Sequence, residues 1–111
     1  MELGTFSTSL AVKDIAKSKA FYEKLGFKAH DGCGSIADKW LIMQSGQCII
    51  GLFEGMFDKN ILTFNPDDAR AIERQLKASG IEIQRGTEGE SGPCHFVLQD
   101  PDGNQIMFDQ F

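Results

Sequence analysis

The chain has 111 residues, of which 41% are hydrophobic and 24% are charged, values typical of one globular domain. A formal net charge of −5 and the lack of any basic run argue against a nucleic-acid partner, because phosphate binding requires clustered lysine and arginine. Apolar runs too short to span a membrane, an N-terminus without signal-peptide features and three cysteines without a C-x-x-C pattern lead us to expect a cytoplasmic protein with free thiols and no membrane partner.

The first half of the chain predicts a strand, a helix and three further strands. The stretch TFSTSLAV alternates, so that Ser7 and Ser9 share one face and the larger side chains share the other. Asp14 is a typical helix N-cap, and the helix is expected to continue to about Leu25 before Gly26 ends it. Three strands follow, with the sequences FKAHDG, DKWLIMQ and QCIIGLFE.

The second half repeats this order of elements. The stretch NILTFN predicts a strand, and we expect Asn65 to cap the next helix, with Pro66 in its first position and Gly80 at its end. IEIQR predicts a strand, GTEGESGP predicts an exposed loop, and CHFVLQ with NQIMFDQF predicts a hairpin around the turn DPDGN. We therefore expect a single domain made of two modules, at about residues 1–56 and 57–111.

Together with this order of elements, the segments LAVKDIAKSKAFYEKLGF and DPDGNQIMF resemble the vicinal oxygen chelate superfamily. That superfamily includes glyoxalases, extradiol dioxygenases and bleomycin-resistance proteins. The resemblance covers essentially the whole chain. It implies an α+β fold in which two βαβββ modules form a curved, barrel-like cleft with the helices outside. It also implies a homodimer, because many members of the superfamily are dimers.

The resemblance implies four metal-ligand positions, one on the first and one on the last strand of each module. Carried over onto this sequence, these positions are Ser7, Gly51, Ile61 and Met107. Divalent zinc, nickel, manganese and iron prefer imidazole, carboxylate or thiolate ligands, which none of the four residues offers. We therefore predict no metal site, no cofactor and no catalytic residue of the family's metal-dependent kind.

If the family's strand register holds, alternation predicts which side chains line the cleft. They form a mostly apolar and aromatic wall with a few polar groups, as in small-molecule pockets. The predicted ligand-binding residues are Ser7, Ser9, Trp40, Ile42, Ile49, Gly51, Phe53, Ile61, Thr63, His95, Val97, Gln105, Met107 and Asp109. Trp40 suits either the hydrophobic core or a ligand platform. For His95, a surface or structural role is favoured over that of a catalytic base.

The leading hypothesis is a metal-independent protein that sequesters a planar or aromatic ligand between Trp40, Phe53 and His95, as bleomycin-resistance proteins do. The alternative is a metal-dependent enzyme similar to a glyoxalase or dioxygenase. That enzyme requires ligands at other positions, for example His95, Asp109 and Glu54. A third possibility is an interaction or regulatory module that has no small ligand.

Overall fold

The computed structural model describes residues 1–111 and has the predicted mixed α+β architecture, with seven strands and two helices. Neither helix is long and apolar enough to cross a bilayer. The elements are β1 (Thr5–Val12), α1 (Ile15–Lys24), β2 (Lys28–Ser35), β3 (Trp40–Ser45), β4 (Cys48–Glu54), β5 (Ile61–Asn65), α2 (Ala69–Ala78), β6 (Cys94–Gln99) and β7 (Gln105–Gln110). The chain divides into two compact units, one of residues 7–60 and one of residues 1–6 with 61–111.

In the unit of residues 7–60, the strands lie in the order β2, β3, β4, β1. Strand β1 pairs parallel with β4, and the other pairs are antiparallel. Helix α1 packs on one face of these strands through Ile15, which belongs to a buried cluster with Leu41, Met43 and Leu52. Fully burying side chains of this size stabilises the folded state by about 1.5–3 kcal/mol each. The hydrophobic core of this unit therefore lies between α1 and one face of its strands.

Helix α1 begins where the sequence predicts. The Asp14 carboxylate accepts a hydrogen bond from the Lys17 backbone N–H, and Leu25 is the C-cap residue. Gly26 follows with a φ of +99°, a left-handed conformation that glycine adopts without a steric penalty. The predicted helix limits are therefore confirmed.

In the other unit, β7 lies between β5 and β6, parallel to β5 and antiparallel to β6. Helix α2 packs on one face of the three strands. The buried cluster there comprises Ala69, Ile72, Cys94, Phe96, Leu98 and Phe108. The ring of Phe96 stacks on that of Phe108, with 4.8 Å between the ring centroids and 12° between the planes. This unit has the same plan as the first, with one helix against one face of its strands.

The predicted cap of the second helix is wrong. Helix α2 begins at Ala69, and its N-cap is Asp68, whose carboxylate accepts a hydrogen bond from the Ala71 backbone N–H. Asn65 is still part of strand β5, and its side-chain amide donates to the backbone oxygen of Asp109. The hydrogen bond to β7 holds Asn65 in the strand, and Asp68 provides the cap three residues later.

The predicted strand IEIQR is also wrong as a regular element. It is reduced to a single bridge between Arg85 and Val97, in which the backbone N–H of each residue donates to the carbonyl of the other. Gln84 also donates its backbone N–H to the Val97 carbonyl. Ile81 at the start of this stretch is exposed, whereas Ile83 packs against the buried cluster of this unit. The predicted hairpin around DPDGN does form.

The first six residues of the chain pack with the second unit. Gly4 has a φ of +80°, and a Cβ atom there would lie 2.0 Å from the backbone oxygen of Asn65. Only glycine fits such a close approach of two backbones. Two residues later, the rings of Phe6 and Phe64 pack with their centroids 5.2 Å apart. The division of the chain into two repeated sequence modules, at about residues 1–56 and 57–111, remains a prediction.

Candidate functional site

The predicted site residues of the first unit share the face of the strands that α1 does not cover. Leu41, Met43 and Leu52 point towards α1, so their neighbours along each strand point the other way. On this helix-free face, one row across three strands contains Ser9, Gly51 and Ile42, which are direct register partners. The members of the face named in the sequence prediction are Ser7, Ser9, Trp40, Ile42, Ile49, Gly51 and Phe53.

Three rings form what we call the aromatic shelf, made of Trp40, Phe53 and Phe57. Trp40 and Phe53 are register partners, and their rings stack at 12° with 6.4 Å between centroids. Phe53 also meets Phe57 at 5.3 Å. A Cβ atom at Gly34 would lie 2.9 Å from Cδ2 of Trp40, so the glycine backbone supports the indole. Both Trp40 and Phe53 are half-buried, and each keeps surface that another molecule can reach.

The ring of Phe53 covers Gly51, one of the four positions that the resemblance predicts to correspond to metal ligands. A Cβ atom on Gly51 would lie 2.5 Å from Cε2 of Phe53 and 3.2 Å from Cδ1 of Ile42. Side-chain atoms do not approach each other as closely as 2.5 Å without displacement. Any side chain at this position would therefore require the Phe53 ring to shift.

A polar pair lies at the other end of the same face and was missed in the sequence prediction. Gln44 follows Trp40 and Ile42 in the alternation of β3, and its side-chain oxygen is hydrogen bonded to Nε2 of His30. The Gln44 side-chain nitrogen donates to the backbone oxygen of Gly46 at 2.8 Å. Alternation alone could have identified Gln44. His30 could not be identified in this way, because the register of β2 against β3 shifts between Ala29 and Gly34.

In the second unit, too, the predicted residues share the face opposite the helix. Thr63, Met107 and Val97 form one row of register partners across three strands. His95 lies opposite Asp109 on the neighbouring strand. Thr63 is buried and His95 is exposed, whereas the rest of the set is half-buried. The members of this face named in the sequence prediction are Ile61, Thr63, His95, Val97, Gln105, Met107 and Asp109.

Asp109 is the titratable group of this face with a shifted pKa. Burial raises the pKa of its carboxyl above the ordinary value, and the charge of His95 opposite it lowers the pKa in part. A carboxyl with a raised pKa holds a proton to higher pH and can donate a hydrogen bond in that form. The second unit thus places a titratable pair on its helix-free face.

The residues at the four family positions do not fit a divalent metal. Ser7 and Gly51 in one unit, and Ile61 and Met107 in the other, offer no imidazole, carboxylate or thiolate. No group of three or more His, Cys, Asp and Glu side chains lies close enough together to hold a metal ion.

Glu54, one of the alternative ligands, faces α1 and not the helix-free face. One of its oxygens accepts a hydrogen bond from the Ile15 backbone N–H at 2.9 Å, and the other lies 2.6 Å from Nζ of Lys39. The hydrogen bonds from Lys39 and Ile15 lower the pKa of the Glu54 carboxyl. The neighbouring residue Phe53 points the opposite way, as the pleat of a strand requires. Glu54 therefore supports the start of α1.

Three surface depressions lie in the two units. One of about 570 Å³ lies in the second unit, beside Gly4, Asn65 and the start of α2. Two of about 390 and 490 Å³ lie in the first unit, near the end of β1. The residues predicted to bind the ligand line none of the three, whereas Phe57 of the aromatic shelf and Glu54 line the depression of about 390 Å³.

Two units, each with one helix against one face of its strands, define an α+β protein of the duplicated-module class. The chain belongs to the Glyoxalase/Bleomycin resistance protein/Dioxygenase superfamily, whose family model matches residues 5–108. The resemblance seen in the sequence is thereby confirmed. No curated protein sequence matches the chain.

Solved structures show the same fold at low sequence identity. A glyoxalase/bleomycin resistance protein/dioxygenase superfamily member from Vibrio splendidus 12B01 is 18% identical over 96% of this chain and 97% of its own, with a TM-score of 0.72. A structure described as NAD-dependent benzaldehyde dehydrogenase from Legionella pneumophila is 20% identical over 96% and 98%, with a TM-score of 0.78. Methylmalonyl-CoA epimerase from Mycobacterium tuberculosis is 12% identical over 99% and 91%, with a TM-score of 0.69.

Proposed function

We propose that this protein binds and sequesters a planar or aromatic small molecule without a metal ion. The observation that carries the proposal is the ring of Phe53 lying over Gly51. At a position where the family's metal enzymes have a ligand, this chain has a glycine covered by an aromatic ring. The position thus contributes to an apolar surface and not to a coordination sphere.

The aromatic shelf supports a flat ligand for physical reasons. Trp40 and Phe53 already lie nearly parallel and half-buried, so a third ring can stack against them without rearranging the strands. An aromatic pair is worth about 0.5–1.5 kcal/mol beyond the area that it buries. Each Å² of apolar surface removed from water adds roughly 25 cal/mol. Stacking and burial together favour planar aromatic molecules over aliphatic molecules of the same size.

A titration with a panel of planar aromatic compounds tests the proposal. Trp40 is the only tryptophan, so its fluorescence reports on the shelf directly. A ligand present at a hundredfold excess over its Kd should stabilise the folded protein by about 2.7 kcal/mol, measured as a rise in melting temperature. Aliphatic compounds of matched volume serve as the control. A rise of several degrees with divalent metals, and none with any aromatic compound, would overturn the proposal.

The alternative function is a metal-dependent enzyme similar to a glyoxalase or dioxygenase. The observation that favours chemistry is the His95–Asp109 pair, because titratable groups with shifted pKa values cluster at catalytic sites. This enzyme would need metal ligands other than those at the four family positions. Elemental analysis of the purified protein distinguishes the two functions, since the enzyme requires stoichiometric metal and the binding protein requires none.

We also propose a cytoplasmic homodimer. Cys33, Cys48 and Cys94 are all free thiols, which suits a reducing compartment. Light scattering coupled to size-exclusion chromatography measures the assembly state. A monomer at micromolar concentration would contradict the dimer and would leave the binding proposal to its own test.

A further inference from the structure

We propose that His30, held by Gln44, accepts a hydrogen bond from the ligand and thereby determines specificity. His30 lies on the same face as the aromatic shelf, at the end away from Trp40. The ligand would then have a flat aromatic group at one end and a hydrogen-bond donor at the other. This inference rests on the proposed function, because it assigns a second recognition point to the same bound molecule.

The orientation of Gln44 determines which nitrogen of His30 carries a proton. The amide nitrogen of Gln44 donates to the Gly46 carbonyl, which can only accept. The amide oxygen is therefore the atom that meets Nε2 of His30, and Nε2 must be the donor. In the neutral imidazole the proton is then on Nε2, and Nδ1 keeps a lone pair. The Gly46 carbonyl thus fixes the orientation of the Gln44 amide, and this orientation leaves Nδ1 of His30 as a hydrogen-bond acceptor.

The distance between the two ends of this face follows from strand geometry. Gln44 lies four residues beyond Trp40 on β3, a separation of about 13 Å at the rise of a strand. Ile42 lies between them on the same face, and Ile49 is the register partner of Gln44 on β4. The face therefore changes from aromatic to aliphatic to polar along the strand.

This arrangement defines a class of ligand. A ring on the shelf, an aliphatic spacer over Ile42 and Ile49, and a terminal hydroxyl or N–H group at His30 would match all three parts of the face. A ligand whose far end only accepts hydrogen bonds would face the accepting Nδ1 atom and gain no bond there. A neutral hydrogen bond of this kind corresponds to a preference of about 3- to 10-fold.

A matched pair of probes tests the inference. The first probe is a naphthyl alkanol with a five-carbon chain, and the second is its methyl ether, which has the same ring and spacer but no donor. Calorimetric titration of the wild-type protein should give a Kd about 3- to 10-fold lower for the alcohol than for the ether. Equal affinities for the two probes would overturn the inference and leave the proposed function intact.

Variants assign the preference to His30. His30→Phe keeps a ring of similar size but removes both nitrogens, so the alcohol and the ether should bind equally. Gln44→Leu removes the group that fixes the ring and should reduce the preference while leaving the ether unaffected. Trp40→Ala is the matched control and should weaken both probes by the same factor. A preference for the alcohol that survives in His30→Phe would overturn the assignment to this residue.

The ratio of the two affinities is the informative readout, because a loss of folded protein lowers both titrations together. The melting temperature of each variant checks that it is folded. If neither probe binds the wild-type protein, and phenyl and biphenyl pairs of the same design also fail, the proposed function itself is contradicted.

Discussion

The two helix-free faces are built on the same plan but carry different chemistry. Trp40 in the first unit and His95 in the second each lie within the first two residues of a strand, opposite a residue of the last strand of their unit. The partner of Trp40 is Phe53, which stacks on it, whereas the partner of His95 is Asp109, a carboxyl with a raised pKa. Equivalent backbone positions thus hold an aromatic pair in one unit and a titratable pair in the other.

Next to these pairs, each face has a row of three register partners, and the two units differ in the residue at the middle of that row. Gly51 lies between Ser9 and Ile42, and the ring of the neighbouring Phe53 covers it. Met107 occupies the corresponding place in the second unit and fills it with its own flexible side chain. The same strand framework therefore fills this position in two ways, with a glycine covered by a neighbouring ring in one unit and with a thioether side chain in the other.

The largest expected effects on stability come from substitutions in the two hydrophobic cores that support these faces. Phe96→Ala in the second unit should lower the free energy of unfolding by about 3–5 kcal/mol, because it removes a fully buried ring and leaves a cavity. Met43→Ala in the first unit should cost about 2–5 kcal/mol for the same reason. Urea denaturation measures both. A cost below about 1 kcal/mol for either variant would show that its unit does not depend on that core.

The second-largest effect is expected from a substitution of Gly51, the glycine that the Phe53 ring covers. Gly51→Ala should destabilise the protein by about 1–3 kcal/mol, because the added methyl group meets the Phe53 ring. Met107→Leu, at the corresponding position of the second unit, should cost less than about 1.5 kcal/mol. The double variant Gly51→Ala with Phe53→Leu should recover part of the loss. If Gly51→Ala is neutral in thermal unfolding, the ring does not cover Gly51 as described.

Glu73 provides a contrast to Asp109 within the second unit. This buried carboxylate accepts hydrogen bonds from the backbone N–H and the hydroxyl of Thr87, at 2.8 and 2.6 Å. Burial raises the pKa of Glu73, but the bonds from Thr87 and the charges of Lys77 and Arg70 outweigh burial, so its pKa lies below the ordinary value. The carboxylate therefore stabilises the fold above its unfolded-state pKa, and that contribution is lost as the pH falls through the lowered folded-state pKa.

Glu73→Gln should therefore lower the free energy of unfolding at pH 7 by about 1–2 kcal/mol, because it removes an ionic acceptor that Thr87 and Lys77 share. The difference between the variant and the wild type should shrink in acid. Thr87→Val, which keeps the volume and removes one of the two bonds, is the matched control. A difference that stays constant from pH 7 down to pH 3 would contradict the ionic origin of the effect.

The smallest expected effect is that of Asp109, whose contribution to stability changes with pH in the opposite direction to that of Glu73. The raised pKa of Asp109 means that its charged form is less favourable in the folded state, so the group lowers stability as the pH rises above its unfolded-state pKa. Asp109→Asn should therefore raise the melting temperature slightly at pH 7 and have little effect below the unfolded-state pKa. Thermal unfolding at both pH values checks this. A variant that is less stable at pH 7 would show that the charge of Asp109 is stabilising.

Much of the fold could be predicted from the sequence, because it depends on local geometry. Successive side chains of a strand point to opposite faces, so the TFSTSLAV alternation suffices to place Ser7 and Ser9 away from α1. The Asp14 cap depends on a side chain and a backbone N–H three residues apart, which the sequence also shows. The Asn65 cap failed because a residue on a distant strand, Asp109, competes for that side chain.

The α+β class and the shared face of Ser7 and Ser9 on β1 therefore follow from the pattern of residues along the chain. The position of the Phe53 ring over Gly51 and the contact of Gln44 with His30 across a shifted register become visible once the chain is folded. Alternation is a property of the extended backbone and can be read residue by residue. Ring packing and strand register depend on partners far away in the chain, and their geometry exists only after the strands pair.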